Sequence, residues 1–389
     1  MPFDCQYRLV HGQHACVADC LTRQYPERFE YVRIESPAAR PLADETAIDV
    51  AVLDMHHGWP NLGHEAIVHA LQNIACDLLA ELSSLRLKLR VASYDVRRGR
   101  ALPPPPGGTC AIYVGTGGPG HIDPALNDGI APESQGVRED PRWEEELFRL
   151  FDAIRADEEA ALIGVCHTFG VMCRWLGVAE PVLRPASKGG KSSGVLENVL
   201  SEHAVGHPWF RRFAARLPDG RRLRILDSRL FDLMPLRALE GADVLAIGFE
   251  SGEGDAAGDA LTMMEVERDV TGRLPRVFGV NHHPEIVNRG RQMTILESRL
   301  RRGDVTRAWY DERARLLTET MPDEDSDARL RLTSSYTMLA PLRYYVYRQV
   351  RLRAQALGRA TTVHEGLASL AVDALTPDAA GGGAVQEGV

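Results

Sequence analysis

The sequence predicts an α/β protein: a mostly parallel, doubly wound sheet with a C-terminal helical addition. Three observations carry that expectation. Between about residues 45 and 292, short apolar runs alternate with segments whose apolar residues recur at helical spacing, the alternation that builds parallel sheets. One run, Ala161-Leu162-Ile163-Gly164-Val165, stops abruptly at Cys166, after which Phe169, Met172, Cys173 and Leu176 take up helical spacing. From about 293 to 372 no strand-like run occurs.

In chain order, residues 1–44 read as an N-terminal extension that closes with the link Ser36-Pro37-Ala38-Ala39-Arg40-Pro41. Ile48 to Leu53 is a short apolar strand. A helix from Leu62 to Ser84 follows, on Ile67, Ala70, Leu71, Ile74, Leu78 and Leu79. Leu87 to Ala92 is a second strand. Pro103 to Pro106 punctuates the chain before Cys110 to Val114, the third. An acidic helix around Trp143 to Ala156 precedes the fourth, Ala161 to Val165. Arg222 to Leu226, Val244 to Ile247 and Arg276 to Val280 complete the strand candidates. The helical region 293–372 rests on Leu296, Leu300, Trp309, Leu316 and Leu317, with Pro341 breaking or kinking one helix. Residues 373–389, with Gly381-Gly382-Gly383, read as a disordered tail.

The bulk numbers exclude several classes. A chain of 389 residues suits one large α/β domain plus additions. Its 44% apolar and 25% charged residues are those of a globular protein. A net charge of −9 argues against a protein built to hold nucleic acid. No window approaches the roughly 18 apolar residues of a membrane span, and Met1 to Val10 has no secretory core, so a cytoplasmic location is expected. Seven cysteines, an odd count, point to reduced thiols rather than a disulfide framework. His11, His14, Cys16 and Cys20 match no compact zinc spacing and read as thiols on a short helix.

Three motifs carry chemistry. A thiol at the strand-to-helix turn, Cys166, sits at a helix N-terminus where unpaired N–H groups favour the thiolate, above the carboxyl edge of the sheet. Gly164 relieves crowding there; the plainer reading is a buried core cysteine. Phe278-Gly279-Val280-Asn281-His282-His283-Pro284-Glu285 places His283 and Glu285 two apart after another strand, with Pro284 stiffening the turn. That suits a base oriented by a carboxylate, against a pair of surface turn residues. Thr116-Gly117-Gly118-Pro119-Gly120 follows a strand end, where glycines let N–H groups approach an anionic oxygen; the alternative is an ordinary turn.

Together, Tyr113-Val114-Gly115-Thr116-Gly117-Gly118-Pro119-Gly120, Gly164-Val165-Cys166 and Gly279 to Glu285 resemble the class I (triad) glutamine amidotransferases, over about residues 47 to 287. Lys188-Gly189-Gly190-Lys191 and Gly194 to Val199 are similar to the segment where these domains carry a Gly-x-x-Glu-Val strand. Asp227-Ser228-Arg229 to Met234-Pro235 is similar to their Ser-His…Pro stretch, without the His. The resemblance implies a flavodoxin-like fold and a Cys166, His283, Glu285 triad that cleaves glutamine through a γ-glutamyl thioester. It implies an oxyanion hole from the Gly118 and His167 amides, and substrate contacts from Gly117, Phe169 and Asn281. It requires no cofactor and implies transfer of ammonia to an acceptor in small-molecule metabolism. No P-loop occurs, so an ATP-dependent acceptor step implies a partner synthetase. Thr168, Phe169 and Gly170 stand where the family usually has Gly, His and Gln, and Asn281 and His282 replace its Gln and Phe. Another γ-glutamyl or amide substrate therefore stands beside glutamine.

Other readings remain open at this level. His56, His57, His121, His167 and His282 all follow expected strand ends, and imidazoles with a thiolate could hold zinc, iron or copper, making a metal-dependent redox enzyme the alternative. Each could equally serve its own turn. A non-catalytic binding or regulatory subunit is a further class, against which retention of three triad members speaks. Within Asp54 to Asn61, the loop forms a crevice floor or simply caps the next helix through Asn61. Tyr344-Tyr345-Val346-Tyr347-Arg348, with Arg351, Arg353 and Arg359, could meet an anionic acceptor or nucleic acid. More commonly such arginines are a solvated helix face answering Asp323-Glu324-Asp325. A helical addition of this size packs on the main domain or joins two copies in a homo-oligomer.

Overall fold

Residues whose side chains are apolar on both faces form the centre of the fold, because a strand covered by helices on each side has no face to give to water. The computed structural model describes residues 28–59, 61–108, 110–239, 243–252, 257–321 and 328–361. The histidine–cysteine cluster at residues 11–20 and the glycine tail lie outside them.

The strands are β1 (Phe29–Ile34), β2 (Ala47–Asp54), β3 (Lys88–Asp95), β4 (Cys110–Gly115), β5 (Ala161–Val165), β6 (Ala179–Leu183), β7 (Ser192–Leu200), β8 (Arg222–Arg229), β9 (Phe231–Pro235), β10 (Leu245–Ser251), β11 (Ala257–Arg268) and β12 (Pro275–Val280). The helices are α1 (Leu62–Asp77), α2 (Leu79–Ser84), α3 (Arg142–Ala156), α4 (His167–Leu176), α5 (Glu202–Gly206), α6 (Phe210–Ala214), α7 (Arg289–Arg302), α8 (Arg307–Thr320), α9 (Ala328–Ser334) and α10 (Ala340–Ala356).

The main sheet runs β1-β3-β2-β4-β5-β12-β11-β10-β7-β8, and β6 pairs with β9 in a separate ribbon. From β1 to β12 every pairing is parallel; beyond β12 the pairings are antiparallel. Among β2, β3, β4, β5 and β12 the spatial order is second, first, third, fourth, fifth, the flavodoxin-like order. Two large apolar clusters cover the two faces, one with α1 and α10, the other with α3 and α4. This is the doubly wound α/β fold with a helical C-terminal part.

The segment before residue 44 supplies β1, an edge strand whose Phe29 is buried. Its Glu30 and Arg33 interrupt the apolar residues and concealed it from a search for continuous apolar runs. The expected helix from Leu62 to Ser84 is interrupted at Leu78. β11 is buried through most of its length, yet its Met and Glu residues do not look strand-like in sequence.

Pro341 ends no helix. It opens α10 directly after a π-helical turn, Ser335–Leu339, that continues α9. Proline offers no N–H to the carbonyl four residues back, and the wider turn accommodates that missing donor. Tyr344, Tyr345, Tyr347 and Arg348 are buried rather than presented to a partner. Tyr344 Oη donates to Asp269 at 3.0 Å and Tyr345 Oη to the Pro275 carbonyl at 3.0 Å. The tyrosines belong to the core beneath the sheet, which corrects the reading of them as a surface for an anionic acceptor or nucleic acid. Arg351 is exposed and Arg353 and Arg359 half-buried, and the acidic run at 323–325 lies outside the described residues.

Candidate active site

Register brings the motif-bearing strand ends together. Gly115 pairs with Gly164, and Gly164 with Gly279, across β4, β5 and β12. A Cβ on these three would lie 2.2 Å from Thr168 Cγ2, 2.4 Å from Met172 Sδ and 2.6 Å from Phe169 Cδ2. The row of glycines lets α4 lie directly on the sheet, with Cys166 at its N-terminal end.

Cys166 has φ 49° and ψ −101°, a left-handed backbone unusual for any residue but glycine. Its amide donates to the Val280 carbonyl at 2.7 Å, and its carbonyl accepts from Gly170 at 3.0 Å. The strained turn projects a half-buried thiol above the sheet edge.

His283 follows β12 on the same edge, its amide donating to the Leu226 carbonyl at 2.9 Å. Its Nδ1 lies 2.9 Å from Glu285 Oε1, and the ring shares a hydrogen bond with Cys166. Burial would depress this imidazole, but the Glu285 carboxylate and the Cys166 sulfur hold its pKa well above the ordinary value. A Cβ on Gly117 would lie 2.9 Å from His283 Cε1 and 3.7 Å from Cys166 Sγ. Glycine there leaves room for ring and sulfur to meet.

Glu285 sits against the first turn of α1: a Cβ on Gly63 would fall 2.5 Å from its Oε1. Asn61 caps that helix, accepting from Gly63 N at 2.5 Å and His64 N at 3.4 Å. Glu285 thus lies at the positive end of the helix dipole. Ser334 Oγ donates to the Pro284 carbonyl and His282 Nε2 lies 3.2 Å from Thr337 Oγ1, so the C-terminal helices brace this loop from behind.

The glycine loop is fixed from two sides. Thr168 Oγ1 donates to the Thr116 carbonyl at 2.8 Å, and Arg97 Nη1 donates to the carbonyls of Met55 at 2.8 Å and Pro119 at 2.6 Å. Arg97 also forks onto Glu139 at 2.9 and 2.6 Å, with both side chains wholly buried. Nothing in its sequence context marked Arg97. Among the described residues the Gly118 and His167 amides donate to no carbonyl, which leaves them available to an oxyanion.

These elements open onto a pocket of about 420 Å³ lined by Cys166, His283, Gly118, His167, His56 and Asn281, among others. The crevice lies beside the β2/β4 switch point, where such sheets bind ligands. Phe169 does not reach it. It packs in the core under Gly279, because the third position after the turn faces the sheet.

The histidines do not all converge. His56 and His167 line the pocket, whereas His57, His121 and His282 do not. His56 Nδ1 pairs with Asp54 Oδ1 at 2.8 Å, and His121 Nδ1 accepts from Asp123 N at 2.9 Å with its ring edge-on to Phe231. His167 is buried; desolvation, then Arg97, His56 and His121, hold it neutral, well below its ordinary pKa. Among the described residues no three His, Cys, Asp or Glu side chains are grouped to hold a metal ion. Among them, too, no helix is long and apolar enough to cross a membrane.

No family model matches the sequence, and no curated protein matches it. Solved structures do. One is described as a GMP synthase subunit from Thermoplasma acidophilum (12% identity, 61% of this chain and 85% of that one, TM-score 0.34). Another is the CTPS glutaminase domain of Trypanosoma brucei with bound acivicin (9% identity, 62% and 87%, TM-score 0.37). A third is described as a ThuA-like protein from Bacteroides uniformis (10% identity, 66% and 90%, TM-score 0.28). Likenesses this faint identify neither a family nor a reaction.

Proposed function

We propose that the protein is a cysteine-dependent amide hydrolase of the glutamine amidotransferase type, acting on glutamine or a related small-molecule amide. The observation that carries this reading is the hydrogen-bonded line Cys166, His283 and Glu285 beside two amides that no carbonyl engages. His283 takes the thiol proton, and the sulfur attacks the amide carbon. The oxyanion is received by the Gly118 and His167 N–H groups. Collapse expels ammonia, which leaves with the proton from His283, and an acyl thioester remains on Cys166. Water, deprotonated by His283, then releases the acid. If the ammonia goes to an acceptor in an ATP-dependent step, that step falls to a separate synthetase, since the sequence carries no P-loop.

The test is ammonia release from glutamine and other primary amides, with Cys166→Ala as control. A substrate should be found whose turnover is lost in that variant, with stoichiometric labelling of Cys166 by a halomethyl-ketone analogue of it. Turnover that survives the substitution would remove the sulfur from the mechanism.

A further inference from the structure

The pocket carries a second charged feature, away from the glycine loop. Lys191, in the turn before β7, and Arg313, midway along α8, line it together with Cys166. Among the described residues neither side chain forms an ion pair or a hydrogen bond. Arg229, on the same wall, differs: it is neutralised by Asp232 at 3.1 Å, Glu250 at 2.9 Å and Asp227 at 3.4 Å. The Arg313 guanidinium stands 5.5 Å from the ring of Trp309, one helical turn earlier and also in the pocket wall, which limits its wandering.

Lys191 is solvent-accessible yet close enough to Arg313 and Cys166 for both to act on its charge. Burial of its amine and the neighbouring guanidinium lower its pKa, while Cys166 and the exposed Glu312 oppose them. Asp227, the acid that does line the pocket, accepts from Ser192 Oγ at 2.6 Å and pairs with Arg229. Two cations that face one pocket with neither side chain ion-paired repel each other, and an anion between them relieves that repulsion.

We infer that Lys191 and Arg313 form an anion subsite, so that the substrate carries a carboxylate or phosphate at the end remote from the amide cleaved at Cys166. The inference rests on the amide-hydrolase reading for the word substrate, though not for the binding itself. It assigns α8, part of the helical addition, to substrate selection.

The experiment follows alkylation of Cys166 by iodoacetamide in the full-length protein, by intact mass at constant ionic strength. Glutarate, inorganic phosphate and neutral glutaramide are compared as protectants. An occupied subsite slows alkylation by 1 + [L]/Kd, about fivefold at four times Kd. Glutarate or phosphate should protect to that degree, and whichever does so identifies the anion; glutaramide should not. In Lys191→Ala/Arg313→Ala, protection should fall below about twofold, compared with the same variant's unprotected rate. Lys191→Arg should keep it, and Lys191→Glu alone should abolish it if the double variant fails to fold. Absence of protection by either anion, equal protection by glutaramide, or protection retained in the double variant would overturn the subsite. Protection without any amide turnover would leave the subsite standing and sink the hydrolase reading instead.

Discussion

Thr168 Oγ1 donates to the Thr116 carbonyl at 2.8 Å, tying the turn that presents the nucleophile to the loop that faces the oxyanion. Thr116 in turn accepts from Met55 N at 2.9 Å and donates to the Gly117 carbonyl at 2.9 Å. Both threonines are fully buried. Thr168→Val should therefore cost about 1 kcal/mol in urea unfolding. It should also lower kcat more than it raises KM, because the loop loses its register with the sulfur. Thr168→Ser should restore both. Wild-type kcat in the valine variant would show the tie to be structural alone.

Arg97 and Glu139 present a buried ion pair in which both carboxylate oxygens are engaged, since Glu139 also accepts from Asn127 at 2.6 Å and Trp143 at 3.0 Å. Arg97→Met strands a buried carboxylate and should destabilise by about 3–5 kcal/mol. Adding Glu139→Met should recover most of that, read as a double-mutant cycle in denaturant. Turnover should stay low in the double variant, because the Pro119 carbonyl has still lost its donor.

The backbone at Cys166 stores strain that only glycine escapes. Cys166→Gly should be more stable than Cys166→Ala by about 1 kcal/mol, after allowing for the greater freedom of glycine in the unfolded chain. Both should be inactive. Equal thermal stability of the two would mean that the turn relaxes when the sulfur is gone.

Acid should destabilise the protein through histidines kept neutral by burial. His64 is pushed down to about 4, and His69 and His282 to about 3, in each case chiefly by desolvation. Unfolded, each binds a proton below about pH 6.5. Their contribution is intact above that value and is lost as pH falls toward the folded values. With His167, also held neutral by burial, four protons taken up on unfolding give a slope of about 5 kcal/mol per pH unit near pH 5. His283, raised instead, acts with opposite sign: its contribution is complete below about pH 6.5 and fades as pH climbs through the folded value. Urea midpoints across pH 5–7 check the slope. His69→Phe, at a site where Nε2 has no partner, should flatten it by about one quarter.

What the sequence alone determined is local. A run of apolar residues that ends at Cys166 makes a strand and then a turn wherever it lies, so β5 and α4 were legible almost to the residue. The helical C-terminal region and the positions of His283 and Glu285 after a strand were legible for the same reason. Tertiary structure decided what meets what. Register across β4, β5 and β12 aligned Gly115, Gly164 and Gly279, and that alignment lowered α4 onto the sheet, turning Phe169 into the core and Thr168 toward the glycine loop. Arg97 and Glu139, 42 positions apart, and Lys191 and Arg313, on different elements, carry no periodicity that links them. Their roles follow from burial and long-range packing, which spacing along a chain does not encode.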